Sequence, residues 1–151
     1  MTEYSDRLEG RIKMVNNYSF SIATKGFCDL QNITGKVAGT IVDSTLTQGI
    51  VTIFVPGATA GVTTIEFESG AVQDFQEMME RWIPVDITYR HNERWGDGNG
   101  FSHVRAAMMS PSLTVPFQDK ELLLGTWQQI VVVDFDNRPR QRKVVLQLLG
   151  E

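Results

Sequence analysis

The chain holds a single cysteine, Cys28. No intrachain disulfide can form, and no cysteine-rich zinc cluster can be built. Its setting, GFCDL, predicts a small buried hydrophobe rather than a reactive thiol. A basic excess is lacking too: acids outnumber lysine and arginine, and the formal net charge is -4. A general nucleic-acid surface needs the opposite balance, so nucleic acid is not an expected partner. No apolar run approaches the roughly 20 residues of a membrane span. The polar start MTEYSDRLEG predicts a chain without a leader, resident in the cytoplasm and away from membranes. No repeat, linker or low-complexity tract interrupts the 151 residues, so one domain over 1–151 with a single core is expected. Histidine is scarce as well, with only His91 and His103 in the chain.

What is present alternates between strand and helix periods. Ile12 and Met14, then Tyr18, Phe20 and Ile22, alternate with polar residues, as half-buried strands do. Asn16-Asn17 between them reads as a hairpin turn or as a bend in one strand. Asn32 to Ser44 reads as a helix with Thr34 as N-cap and an apolar stripe of Val37 and Ile41. Gly35 and Gly39 each weaken it by about 1 kcal/mol relative to Ala and would let it lie close to a sheet. IVTIFV (50–55) is β-branched and apolar throughout, which predicts a strand buried on both faces. VTTIEF (62–67) follows as its partner across the loop PGATAG, where small residues would let backbone approach a ligand.

Ser69 to Trp82 has the clearest helical stripe, with Val72, Phe75, Met79 and Trp82 on one face. Asp74 sits at the boundary, where it could look into a cleft or simply favour the helix dipole. Val85 to Tyr89 reads as a short strand delivering His91. The polar loop Trp95 to Gly100 then leads into a helix from near Ser102 to before Pro111. In the last third, Leu113–Phe117 and Gln129–Phe135 read as strands. The turn 136–139 returns Gln141–Leu149 antiparallel. The expected class is α+β, one mixed and largely antiparallel sheet with two or three helices. Strands apolar on both faces imply cover by helices or by another subunit.

Candidate functional residues gather between Gly57 and His103. His91 and His103, with Glu66, Asp74, Asp97 and Asn99, could bind a cation or move protons. A histidine after a Gly/Asp/Asn loop also suits an anion. Two histidines twelve positions apart do not match a standard zinc spacing, so ordinary buried or half-exposed histidines are the competing reading. Arg138, Arg140, Arg142 and Lys143 form the one basic cluster, suited to phosphate oxygens or simply to a solvated hairpin.

The motifs FVPGATAG (54–61), Glu66, Asp74, YRH (89–91), GDGN (96–99), HVRA (103–106), LGTWQQI (124–130), DFD (134–136) and RPRQR (138–142) resemble, in this order, the pattern of the YjbQ-like family. This family of uncharacterised proteins is also called the secondary thiamine-phosphate synthase family. The resemblance covers nearly the whole chain, and LGTWQ with the upstream YRH and GN-x-x-x-H is its specific part. It implies an α+β fold assembled as a homotrimer, with a site of histidines and acids close to a subunit boundary. Three departures stand out. Gly57 occupies the position of the family's first histidine, Ala58 that of the following threonine, and Lys120 a position often held by glycine. A three-histidine metal site would therefore lose one ligand.

The activity implied by the family name joins a hydroxymethylpyrimidine diphosphate to a thiazole phosphate and releases pyrophosphate. In such an enzyme His91, His103, Glu66 and Asp74 would be catalytic. His91, His103 and Glu66 would hold a divalent Mg²⁺ or Zn²⁺. Thr59, Asp97, Asn99, Gln128, Arg138 and Arg140 would bind substrate or phosphate. One alternative is a non-catalytic trimer that holds a phosphorylated metabolite, which the loss of histidine at Gly57 favours. Another is a metal-dependent hydrolase using the same residues.

Overall fold

The computed structural model of the chain describes residues 14–151. The predicted alternation before Met14, with Ile12, lies outside them. The elements run β1 (Met14–Thr24), β2 (Asp29–Asn32), α1 (Thr34–Asp43), β3 (Gly49–Phe54), β4 (Ala60–Glu66), α2 (Ser69–Trp82), α3 (Arg90–Trp95), α4 (Gly100–Met109), β5 (Ser112–Gln118), β6 (Glu121–Leu122), β7 (Gln128–Asp134) and β8 (Arg140–Gly150). The class is α+β as expected, but the single expected sheet is two: a five-stranded sheet β1-β8-β3-β5-β6 and a three-stranded sheet β2-β7-β4. Every strand pair is antiparallel. No helix among the described residues is long and apolar enough to cross a membrane.

The layers follow from which faces are apolar. Val51, Ile53, Val144, Leu146 and Leu148 of the larger sheet meet Val62, Ile130 and Val132 of the smaller, with Val37 and Ile41 of α1 completing this core. On the other face of the smaller sheet, Val131, Val133 and Phe135 pack with Ala106 of α4, and Val72, Phe75 and Met79 of α2 lie against them. β7 is therefore buried on both faces, which is why its sequence shows no alternation. β3 is not. Val51 and Ile53 are buried while Ile50 and Phe54 on the opposite face are exposed, because none of the described residues covers the outer face of the five-stranded sheet.

Several local expectations change in the same way, through tertiary partners. Asn16-Asn17 is no turn: β1 is continuous and pairs along its whole length with β8, and Gln147 Nε2 donates to Asn17 Oδ1 at 3.0 Å. Thr34 is the first residue of α1 rather than its cap: the N-cap position is Ile33, without a side-chain cap bond, while Asn32 Oδ1 accepts the Thr34 N–H at 3.0 Å and Thr34 Oγ1 accepts the Ile130 N–H at 2.8 Å. Gly35 and Gly39 face open space rather than a sheet. Trp82 is 65% exposed; the stripe of α2 runs beyond the layer it covers. Residues 85–89 form no strand. Tyr89 Oη donates to Pro84 O at 2.6 Å and folds the segment back on itself, so that His91 rides on α3. The loops after β3 and after β7 carry the chain from one sheet to the other, so neither β3–β4 nor β7–β8 is a hairpin. Asp119-Lys120 is the two-residue hairpin turn, with φ of 52° and 63°, the geometry of a type I′ turn. Lys120 holds this conformation while its Nζ donates to Val42 O and Ser44 O at the end of α1, at 2.9 and 2.8 Å.

The two sheets are clamped at one end by buried charge. Arg142 of β8 reaches across to Asp134 of β7, with Nε 2.7 Å from Oδ2 and Nη2 2.8 Å from Oδ1. Thr24 of β1 donates to the same Oδ2 at 2.5 Å, and Arg142 Nη2 donates to Thr59 Oγ1 at 2.7 Å. Thr59 in turn donates to Asp136 Oδ2 at 3.2 Å, and Arg140 Nε meets that oxygen at 2.6 Å. Burial opposes the charge on Asp136, but hydrogen bonds from Arg140 and the Asn137 N–H, with the Arg140 charge, prevail and hold the carboxyl below its usual range.

Two outcomes follow from this clamp. Asp134→Ala leaves the Arg142 guanidinium buried without its acid and should lower stability by about 3–5 kcal/mol in chemical denaturation. Because Asp136 is more acidic folded than unfolded, its contribution is whole above the ordinary carboxylate range near pH ~4 and is lost as pH falls through its lower folded value. Midpoints of thermal unfolding recorded on acidification should therefore fall less steeply in Asp136→Asn than in the natural chain.

Candidate functional site

The site lies at the clamped end, where α3 and α4 meet the crossing turn between β7 and β8. The start of α4 is fixed to the sheet by Ser102 Oγ, which donates to Phe135 O at 2.6 Å. Its middle is fixed to the end of α2 by the buried Arg105, which donates to Ile83 O and pairs with Glu80 Oε2 at 2.7 Å. α3 is held against α4 by the Gly100 N–H, which donates to Asn92 Oδ1 at 2.8 Å. A Cβ at Gly100 would come within 2.4 Å of Tyr89 Cβ, so this close approach requires glycine. Gly96, in a left-handed conformation with φ of 69°, ends α3 and turns the chain into the loop 96–99.

These braces bring the two histidines together. The rings of His91 and His103 lie 4.3 Å apart between centroids and are tilted by 49°. His91 Nε2 is 3.3 Å from Asp97 Oδ2. Asn99 sits beneath them, buried. With its amide nitrogen turned toward the loop, it donates to Asp97 Oδ1 at 3.0 Å and lies 3.2 Å from His91 Nε2. The opposite orientation offers only a longer contact of 3.5 Å to Asp136 Oδ1, and we adopt the first. Beside this group is a cavity of about 490 Å³ lined by Asp97, Asn99, Asn137, Arg138 and Arg140. Asn137 Nδ2 donates to Asp97 O at 2.8 Å and ties the crossing turn to the loop.

Of the residues singled out from sequence, His91, His103, Asp97, Asn99, Arg138 and Arg140 gather here. Thr59 is adjacent, but its hydroxyl is committed to Asp136 and Arg142 and is buried. Three do not join them. Glu66 pairs with Gln128 at the far end of β4 and β7, the length of a seven-residue strand away, about 20 Å. Gln128 closes its own turn, accepting the Gly125 N–H and donating to Thr64 Oγ1, both at 3.0 Å. Asp74 is exposed on the surface of α2 rather than looking into a cleft. Glu66 therefore cannot share a metal ion with His91 and His103 of the same chain. Among the described residues, no group of three or more His, Cys, Asp or Glu side chains is disposed to hold one. The expected ligand set of His91, His103 and Glu66 does not come together within one chain.

Asp136, Asn137 and Arg142 were not picked out individually as site residues. For Asp136 and Arg142 the signal is in the spacing: acids at 134 and 136 and arginines at 138, 140 and 142 continue a period of two across a turn, which does not include Asn137. That period gives Asp136 and Arg140 a salt bridge and sends Arg142 inward to Asp134. Cys28 is buried, and burial pushes its thiol up to about 12, in keeping with a packing role.

Comparison with known proteins gives a consistent result. The family described as UPF0047 protein YjbQ-like matches residues 18–151. A UPF0047 protein of Methanothermobacter thermautotrophicus is 35% identical over 123 residues, 82% of this chain and 84% of that one. A UPF0047 protein of Mycobacterium tuberculosis is 41% identical over 102 residues, 68% of this chain and 76% of its own. The crystal structure of a YbjQ-like protein of unknown function from Sulfolobus solfataricus superposes with a TM-score of 0.87 at 26% identity, covering 93% of this chain and all of that one (100%). That of a hypothetical protein from Aeropyrum pernix gives a TM-score of 0.83 at 29% identity, covering 90% and 99%. Motifs, architecture and the extent of these matches agree, and the chain belongs to the UPF0047 YjbQ-like family, a family of unknown function.

Proposed function

We propose that this protein binds a phosphorylated small molecule in the cavity beside Arg138 and Arg140, and that the His91–His103 pair moves a proton on that molecule. The observation that carries this reading is the contact between the two imidazoles, with Asp97 and Asn99 on one of them, at the edge of a cavity lined by two guanidinium groups. Guanidinium groups and the Asn137 amide suit phosphate oxygens. Imidazole suits proton transfer at neutral pH, and a carboxylate partner orients the ring. The transferase reaction implied by the family resemblance fits this division of labour. Arg138 and Arg140 would neutralise the departing diphosphate, while a histidine gives a proton to its bridging oxygen as the C–O bond breaks and the thiazole nitrogen lone pair forms the new C–N bond. Glu66, the acid expected to help hold a metal, lies at the other end of the sheet.

A non-catalytic binding role remains the second reading, favoured by Gly57 at the family's histidine position. Incubation with hydroxymethylpyrimidine diphosphate and thiazole phosphate separates the two. Product should form with the natural chain and fall by about 10²-fold or more in His91→Ala and His103→Ala, while pyrophosphate binding by calorimetry persists in both. Turnover unchanged in the alanine variants would overturn the catalytic role. Binding without turnover in the natural chain would establish the second reading instead.

The partner we propose is further copies of the same chain, forming a trimer. The outer face of the five-stranded sheet supports this. Strand register lines up Val15, Leu149, Ile50 and Pro116 in one cross-sheet row and the uncharged Asn17, Gln147, Thr52 and Thr114 in the next. An apolar row flanked by neutral hydrogen-bonding side chains, with charge nearly absent, is the composition of an interface centre. Sedimentation analysis should show a trimer for the natural chain and monomers for Ile50→Lys, with the helical and strand content unchanged.

A further inference from the structure

The loop PGATAG, singled out in the sequence for its small residues, adjoins an arginine whose hydrogen bonding is incomplete. The Arg142 side chain is only 9% exposed. Its Nε and Nη2 are occupied by Asp134 and Thr59. Its Nη1 donates to none of the described residues. No fully buried side-chain nitrogen or oxygen among them lacks a partner, so Nη1 reaches the surface. It does so at Gly57: a Cβ built there would meet Arg142 Nη1 at 3.4 Å, and within 4 Å nothing else beyond its chain neighbours. Gly57 has φ of 131°, and both it and Ala58 are exposed. Among the described residues, neither of their N–H groups has an acceptor.

We infer that Arg142 Nη1 and the N–H groups of Gly57 and Ala58 form an oxyanion position next to the proposed phosphate cavity. A buried guanidinium held rigidly by a carboxylate loses little freedom when it donates its last hydrogen bonds, and such charge-assisted bonds are strong. The position also adjoins the first. Arg140 Nε and Arg142 Nη2 lie on either side of one oxygen, Asp136 Oδ2, at 2.6 and 3.6 Å. The ligand is then a small molecule with two neighbouring acidic groups, one against Arg138 and Arg140 and one at Gly57. Glycine at this position leaves the free guanidinium nitrogen open; a larger side chain would stand over it. The two-group ligand rests on the phosphate reading of the cavity, whereas the Gly57 position itself does not.

Pyrophosphate and inorganic phosphate are the probes, followed by calorimetry and by amide resonances of the whole chain. The natural chain should bind pyrophosphate at least about tenfold more tightly than phosphate, one charge-assisted contact being sufficient for that ratio. Gly57→Leu should abolish this advantage and leave phosphate affinity unchanged. In the natural chain the Gly57 and Ala58 amide resonances should shift on addition of pyrophosphate. This measurement stands even where Gly57→Leu folds poorly. An advantage that survives in Gly57→Leu, or amides that do not move, would overturn the inference. Arg138→Ala separates it from the cavity reading. If phosphate still shifts the Gly57 amide while affinity is unaffected by Arg138→Ala, the Gly57 position stands and the cavity is not a phosphate site.

Discussion

The constraint on which the rest of the structure depends is the Arg142 guanidinium buried against Asp134. Each ion alone would be costly to remove from water, and together they are tolerable because both carboxylate oxygens and two guanidinium nitrogens are matched. The pair joins β8 of one sheet to β7 of the other, and Thr24 of β1 donates to the same carboxylate. It fixes where the chain leaves β7 and where it enters β8. The crossing turn between them has little choice of path, and that turn carries Asp136, Asn137 and Arg138 and delivers Arg140 at the start of β8. The charged end of the sandwich is thus at once its clamp and the floor of its candidate site.

The helices complete the arrangement from the other side. α4 is anchored at Ser102 to the Phe135 carbonyl just after β7 and at Arg105 to the end of α2. α3 rests on α4 through a contact that only glycine at 100 permits. The two histidines come from different helices, and their meeting is a consequence of these anchors rather than of any direct bond between them. By contrast α2, whose residues are none of them fully buried, covers the smaller sheet loosely and leaves an apolar groove of about 310 Å³ that includes Phe75, Met79, Trp82 and Met109. Rigidity is concentrated where the polar groups converge, as a preorganised site requires.

Much of the fold was legible because local patterns and tertiary environment agreed. The stripe of Val72, Phe75 and Met79 gave α2 its limits, and the unbroken apolar run of β7 marked a strand covered on both faces. Where they disagreed, the reason is identifiable. IVTIFV looks doubly buried, but its outer residues face away from the chain, toward the surface proposed to meet other copies. Asn16-Asn17 looks like a turn, but pairing with β8 carries the strand through it. Residues 85–89 alternate like a strand, but the bond from Tyr89 to the Pro84 carbonyl folds them back on themselves.

The sequence by itself determined the class, the family and the residue types of the site. These depend on composition, on periods of two and of 3.6, and on motifs that survive without coordinates. It also placed the two histidines, the GDGN loop and the arginines in one functional group. Only the tertiary structure decided which members of that group meet. Glu66 and Asp97 are equally plausible partners for His91 as letters in a chain, yet Glu66 is carried a strand's length away by β4 while the short turn after α3 folds Asp97 onto the ring. The same holds for Arg142, one of three arginines in RPRQR. Alternation along β8 points it inward and gives it a buried acid, and beside the open backbone of Gly57 its Nη1 has no partner among the described residues. Contacts across the chain depend on how the two sheets stack, and no local pattern encodes that distance.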